Sequence, residues 1–89
     1  MVELFGLARY LAGKREINLN LPDDATLRDV VARLASQTEE LLGQVIDGKT
    51  MELIEPYTLN INGRYVARDL SVRVNEDDRI LLLFTAVGG

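Results

Sequence analysis

The residues with the clearest chemical potential are Gly88 and Gly89, at the end of the sequence. Glycine has no Cβ, so its backbone can enter a slot that any other residue would block. The expected reactive group is the terminal carboxylate of Gly89, not a side chain. A free carboxylate is a poor electrophile. It becomes reactive when a partner converts it, with ATP, to an acyl-adenylate; a sulfur donor or a lysine amine then displaces AMP. The stretch Thr85-Ala86-Val87-Gly88-Gly89 has no charged side chain and narrows toward its end. Fully extended, it spans roughly 17 Å at ~3.4 Å per residue, enough to thread from a folded body into a partner's active site. At average glycine usage two terminal glycines arise by chance about once in 200 chains. The pair therefore gains weight only from the rest of the chain.

Other chemistry is scarce. The 89 residues include no histidine and no cysteine. A structural zinc site lacks its usual ligands, and Ser–His–Asp or Cys–His machinery cannot be assembled. Ser36 and Ser71 have no local base. Asp23-Asp24 and Glu76-Asp77-Asp78 flank turn signals and read as solvated charge, not as acid–base pairs. The formal charge is −4, and the eight arginines and two lysines are scattered. That balance argues against nucleic acid as a partner. The longest apolar run, Ile80 to Phe84, is far short of a membrane span, and the start has no basic region leading into a long apolar stretch. A cytoplasmic protein without membrane partners is expected, with no cofactor bound by the chain itself.

The length suits one small domain, and 47% apolar with 27% charged residues is an ordinary globular balance. Val2 to Ala8 reads as a strand, with Val2 and Leu4 on one face and Phe5 and Leu7 on the other. Gly13-Lys14 reads as a turn. Ile17, Leu19 and Leu21 alternate with Glu16, Asn18 and Asn20, the period of a half-buried strand. Pro22-Asp23-Asp24-Ala25 breaks it. Thr26 with Asp29 is a capping-box variant. Leu27, Val30, Val31 and Leu34 then mark one stripe of an amphipathic helix running to about Gln37. Residues 38–56 are irregular, with a possible short helix at Glu39-Glu40-Leu41-Leu42. Leu59 and Ile61 lead into Asn62-Gly63, then Tyr65 and Val66, a hairpin signal because a type I′ turn needs positive φ at both central residues. Val72 and Val74 suggest a further extended piece, and Ile80 to Phe84 a continuous apolar strand.

The order is β-β-α-irregular-β-β-β. The first and last strands are the most apolar, which suits neighbours at the centre of a sheet crossed by one helix. That arrangement is a β-grasp, an α+β roll with a mixed sheet. The body spans 1–84 and a flexible tail spans 85–89, projecting beyond a central strand. One helix covers one face, so apolar surface is left over. With Val2, Leu4, Ile80 and Leu82 inside, Phe5, Leu7, Leu81 and Leu83 face away and, with Phe84, form the expected partner surface. The competing reading is that 38–58 folds over that face. Arg9, Arg64 and Arg68 read mainly as solvated, with a partner contact as the alternative.

The chain resembles the β-grasp sulfur carriers: the molybdopterin synthase small subunit, the thiamine sulfur carrier, and their ubiquitin-like relatives. The resemblance covers essentially the whole chain. It is carried by Phe5-Gly6-Leu7-Ala8-Arg9, by Ala25-Thr26-Leu27-Arg28-Asp29-Val30-Val31, and by Leu59-Asn60-Ile61-Asn62-Gly63-Arg64. It continues in Asn75-Glu76-Asp77-Asp78-Arg79-Ile80, Phe84 and Gly88-Gly89. Chain length favours the molybdopterin branch, although Thr85-Ala86 stand where its small subunits usually carry a proline pair.

The resemblance implies a chain that is not catalytic alone. An adenylyltransferase of the ubiquitin-activating type would dock on the apolar face and use ATP to adenylate Gly89. A sulfurtransferase would supply the sulfur of a thiocarboxylate. The tail would then enter the molybdopterin synthase large subunit, whose lysines would do the catalysis. The alternatives are a ubiquitin-like modifier joined through Gly89 to lysines of targets, a carrier for thiamine or another pathway, and a passive binding module. Only Lys14 and Lys49 could accept self-conjugation.

Overall fold

The computed structural model of the chain describes residues 1–85. In order, its elements are β1 (Val2–Leu4), α1 (Gly6–Ala12), β2 (Glu16–Ile17), α2 (Leu27–Gln37), a 3₁₀ turn (Glu39–Leu41), β3 (Tyr57–Ile61), β4 (Tyr65–Ala67) and β5 (Ile80–Phe84). The strands form one sheet in the order β2-β1-β5-β3-β4. β1 and β5 run parallel at its centre, with Val2 opposite Ile80 and Leu4 opposite Leu82. All the other pairings are antiparallel. This mixed sheet with helices on one face is a β-grasp fold.

The predicted strand Val2–Ala8 is corrected. It stops at Leu4, and the chain turns at Gly6, whose φ is +56°. Glycine adopts that left-handed conformation without Cβ strain. From Gly6 to Ala12 the chain is helical, and Ala8, Leu11 and Ala12 turn toward the core at helical spacing. Leu7 through Ala12 contains strong helix formers, so the period-two pattern ends at Leu4. The predicted turn glycine, Gly13, closes α1 with φ +70°, and its N–H donates to the Arg9 carbonyl at 2.9 Å.

The second strand is also shorter than the alternation suggests. Only Glu16–Ile17 pair with β1, while Leu19 and Leu21 pack against the core without joining the ladder. α2 starts and stops where the sequence places it. The Asp29 carboxylate accepts the backbone N–H of Thr26 at 2.9 Å, as a capping box requires. Leu27, Val30, Val31 and Leu34 are fully buried. The extended piece around Val72–Val74 makes only an isolated bridge, between Arg73 and Thr26. It serves α2 instead. The carbonyls of Leu70 and Val72 accept the first free N–H groups of the helix, from Arg28 and Leu27, each at 2.9 Å. Those donors have no partner within the helix itself.

One core unites Val2, Leu4, Ile80, Leu82 and Leu59 from the sheet with the stripe of α2. Residues 38–56 do not cross the opposite face of the sheet. Their 3₁₀ turn packs against α1 and α2, and Leu41, Val45 and Ile46 are buried in the same core. They extend the helical layer.

Candidate functional site

Two motifs quoted from the sequence prove to be structural. Asn62 and Gly63 have φ +58° and +73°, the two positive angles of the predicted turn, with Ile61 paired to Tyr65 across it. The Asn62 side chain then reaches out of the hairpin. Its Nδ2 donates to Asp78 Oδ1 at 3.0 Å, and its Oδ1 accepts the Arg79 N–H at 2.8 Å. Asp78 Oδ2 accepts the Asn75 N–H at 2.8 Å. The acidic turn is thus a clasp tying the start of β5 to the β3–β4 hairpin. The Asp78 carboxylate is engaged in holding the Asn62 side chain and the Asn75 backbone, while Glu76 and Asp77 are exposed. Among the described residues no group of acidic side chains is arranged to hold a metal ion. No helix among them is long and apolar enough to cross a membrane.

The clasp sets the phase of β5, and strand alternation does the rest. Ile80 and Leu82 point into the core, while Leu81 and Leu83 are half-buried on the open face. The register lays a row across that face: Glu16, Glu3, Leu81, Asn60 and Val66. Leu83 lies opposite Thr58 in the next row. Phe5 is extended at φ −131° and ψ 155°, so it continues the alternation of β1 onto the same face as Glu3. The Arg9 guanidinium sits 5.4 Å from the centre of its ring, a cation–π contact, and Arg9 Nε donates to the Leu4 carbonyl at 3.0 Å. Arg9 is therefore part of the local structure and not freely solvated. Arg79 is ion-paired to Glu3. Sequence reasoning passed over two members of this face. Val66 is 46% exposed, and the Oδ1 of Asn60 is buried with no hydrogen-bond partner. The alternation of Thr58 and Asn60 with Leu59 and Ile61 was the available signal.

The other two residues of the expected partner surface lie elsewhere. Leu7 belongs to α1, where it is 44% exposed, and not to a strand beside Leu81. Phe84 shares the parity of Leu82, not of Leu83. It lies opposite Tyr57 and packs edge-on against its ring, with centroids 5.2 Å apart. It is 54% exposed because it reaches beyond the core at the end of β5. The structure thus brings together Phe5, Leu81 and Leu83, and sets Leu7 and Phe84 apart from them.

Thr85 is the last described residue. Its N–H and its hydroxyl both donate to the Pro56 carbonyl, at 3.0 and 2.9 Å, and its hydroxyl lies 3.4 Å from that of Thr58. The chain is therefore held to the body through residue 85. The expected tail residues Ala86, Val87, Gly88 and Gly89 lie outside the described residues.

A mixed five-stranded β-grasp sheet with two helices, a clasped acidic turn and a pinned root for the last residues defines a small ubiquitin-like protein. The ThiS family profile matches residues 2–89, and the chain belongs to the ThiS family. Its fold is similar to that of small archaeal modifier protein 1 from Haloferax volcanii, with a TM-score of 0.84 and 25% identity over 99% of this chain and 96% of that one. Small archaeal modifier protein 1 from Methanosarcina acetivorans matches with a TM-score of 0.77 and 25% identity, over 99% and 93% of the two chains. A putative molybdopterin converting factor, subunit 1, from Pyrococcus furiosus matches with a TM-score of 0.67 and 25% identity, over 91% and 90%. No curated protein matches the sequence.

Proposed function

We propose that this chain is a sulfur carrier of molybdopterin biosynthesis, acting as the small subunit of a molybdopterin synthase. In this reading the Gly89 carboxylate attacks the α-phosphate of ATP on an adenylyltransferase of the ubiquitin-activating type, releasing pyrophosphate. A sulfurtransferase then delivers sulfide sulfur to the acyl carbon, AMP leaves, and a thiocarboxylate remains. The tail next enters the synthase large subunit, where the sulfur passes to a pterin precursor. The chain contributes no catalytic side chain, and ATP binds to the activating partner. The observation that carries the reading is the route of the chain. A central strand, parallel to β1, runs straight into a root pinned at Thr85, with two small residues and Gly88-Gly89 beyond it. Family membership and likeness to a putative molybdopterin converting factor subunit support it.

A second reading is favoured by the likeness to the two small archaeal modifier proteins. There the acyl-adenylate is consumed by lysine amines of target proteins, and Gly89 ends in isopeptide bonds. Both fates share the activated intermediate. Intact-mass analysis of the chain purified from its own cells separates them. A terminal oxygen replaced by sulfur is the expected result for a carrier, and adducts joined through Gly89 are the result for a modifier. An unmodified terminus, together with full function after deletion of Gly89, would overturn both.

A further inference from the structure

The groove at the root of the tail is lined by Glu55, Pro56, Tyr57, Thr58, Arg68 and Thr85. We propose that it is a docking site for a carboxylate-bearing segment at the mouth of the activating enzyme's catalytic cavity, with Arg68 as the residue that pairs with it. The inference rests on the reading of Gly89 as an activated terminus and adds to it a partner contact that the open sheet face does not supply.

The argument starts from reach. Thr85 is fixed by its two bonds to the Pro56 carbonyl. Four residues follow it, so the Gly89 carboxyl lies at most about 14 Å from the root, at ~3.5 Å per residue. An acyl-adenylate must be kept from water to avoid hydrolysis, so the carboxyl has to sit inside a cavity. A cavity deep enough to enclose four extended residues brings its mouth down to Thr85. Whatever flanks Thr85 then becomes interface, whichever larger surface makes the first contact.

What flanks Thr85 is chemically specific. Pro56 and Tyr57 offer an apolar wall, extended by the Phe84 ring packed on Tyr57. Arg68 is exposed and makes no ion pair or side-chain hydrogen bond among the described residues. Arg9 and Arg79, by contrast, are each held by the body. A guanidinium presents a rigid fork of donors that matches a carboxylate. Arg68 stands at the root, whereas the nucleotide would meet the far end of an extended tail. Its counterpart is therefore a protein side chain and not a phosphate of ATP. Glu55 lines the same groove, and Glu52 lines the adjoining recess with Arg68. They repel an approaching acid from their side, so the segment is admitted in one orientation. Arg68 is a positioning residue in this scheme.

The test uses the full chain as substrate in ATP–pyrophosphate exchange by the ubiquitin-activating-type adenylyltransferase of the same organism. Arg68→Glu should raise KM about tenfold with kcat nearly unchanged, as expected for reversing a charge at the rim of an interface, and Arg68→Lys should restore most of the loss. Three glycines inserted between Thr85 and Ala86 lengthen the tail by roughly 10 Å and free the root from the cavity mouth. In that background the Arg68→Glu penalty should fall below about twofold, while that of Leu81→Ser on the open face should persist. Thermal melting of each variant reports folding independently. A wild-type KM for Arg68→Glu, or an equal penalty at both tail lengths, overturns this inference and leaves the carrier reading standing. No exchange with the wild-type chain overturns both.

Discussion

The two faces of the sheet are built from the same strands and meet opposite fates. On β5, Ile80 and Leu82 are fully buried under α2, while their neighbours Leu81 and Leu83 keep part of their surface in water. The covered face has α1, α2 and residues 38–56 over it, all joined in one core. The open face has a thin apolar strip through Phe5, Leu81, Leu83 and Val66, interrupted by Asn60 and Thr58 and edged by the Arg79–Glu3 pair. An apolar side chain on the covered face contributes to folding. The same side chain on the open face contributes little to folding and is available for association. Five consecutive apolar residues thus serve two ends, separated only by the pleat.

The sharpest way to break this comparison is to truncate neighbours on β5. Leu82→Ala should cost about 2–5 kcal/mol, the range for a buried leucine that leaves a cavity, whereas Leu81→Ala should cost under about 1 kcal/mol; urea unfolding measures both. Equal losses would mean that the faces are not energetically distinct. The clasp that holds β5 in phase comes next. Asn62→Gly keeps the left-handed backbone and removes both side-chain bonds, so about 1–2 kcal/mol should be lost in the same unfolding experiment. A milder effect of opposite sign is expected at Asn60. Its buried, unpartnered oxygen is a cost that an apolar side chain avoids, so Asn60→Val should raise stability by up to about 1 kcal/mol. It should also widen the apolar strip, detectable as stronger retention on a hydrophobic column.

The smallest effect concerns the turn that feeds the covered face. The Asp69 carboxylate is held below its ordinary pKa by the Ser71 hydroxyl, then by the Ser71 backbone N–H, with a weaker contribution from Arg28. A depressed folded pKa means that this support is complete above the ordinary carboxylate value. It is lost as pH falls through the folded value. Carboxylate NMR titration of Ser71→Ala should show the Asp69 pKa moving back up. An unchanged titration would show that the turn does not depend on this contact.

How much was legible in the sequence differs element by element. α2 could be read closely, with its start at the Thr26–Asp29 box and its end at about Gln37, because the box and a 3.6-residue stripe are local signals that agree. The hairpin at Asn62-Gly63 could be read because positive φ selects those residues. The strand expected over Val2–Ala8 failed at its midpoint. Phe5 and Leu7 fit an alternating pattern, yet Gly6 and the helix formers behind it turn the chain into α1. The grouping of Phe84 with Leu81 and Leu83 runs against strand alternation: with Ile80 and Leu82 inside, Phe84 shares their side, and pairing with Tyr57 places it at the end of β5.

The sequence by itself excluded particular chemistries: with no histidine and no cysteine, neither a Cys/His zinc site nor Ser–His–Asp or Cys–His machinery can be built, wherever the residues fall in space. It also determined α2, by local capping and periodicity. Strand alternation also marked Leu81 and Leu83 as the outward residues of β5, and they stand half-buried on the open face. The tertiary structure alone took Leu7 into α1 and set Phe84 against Tyr57 near the root, because those positions depend on the turn at Gly6 and on strand register. It also decided that Thr85 belongs to the body through Pro56 and that Arg68 stands beside it. These are contacts between segments far apart in sequence, and no local pattern encodes them.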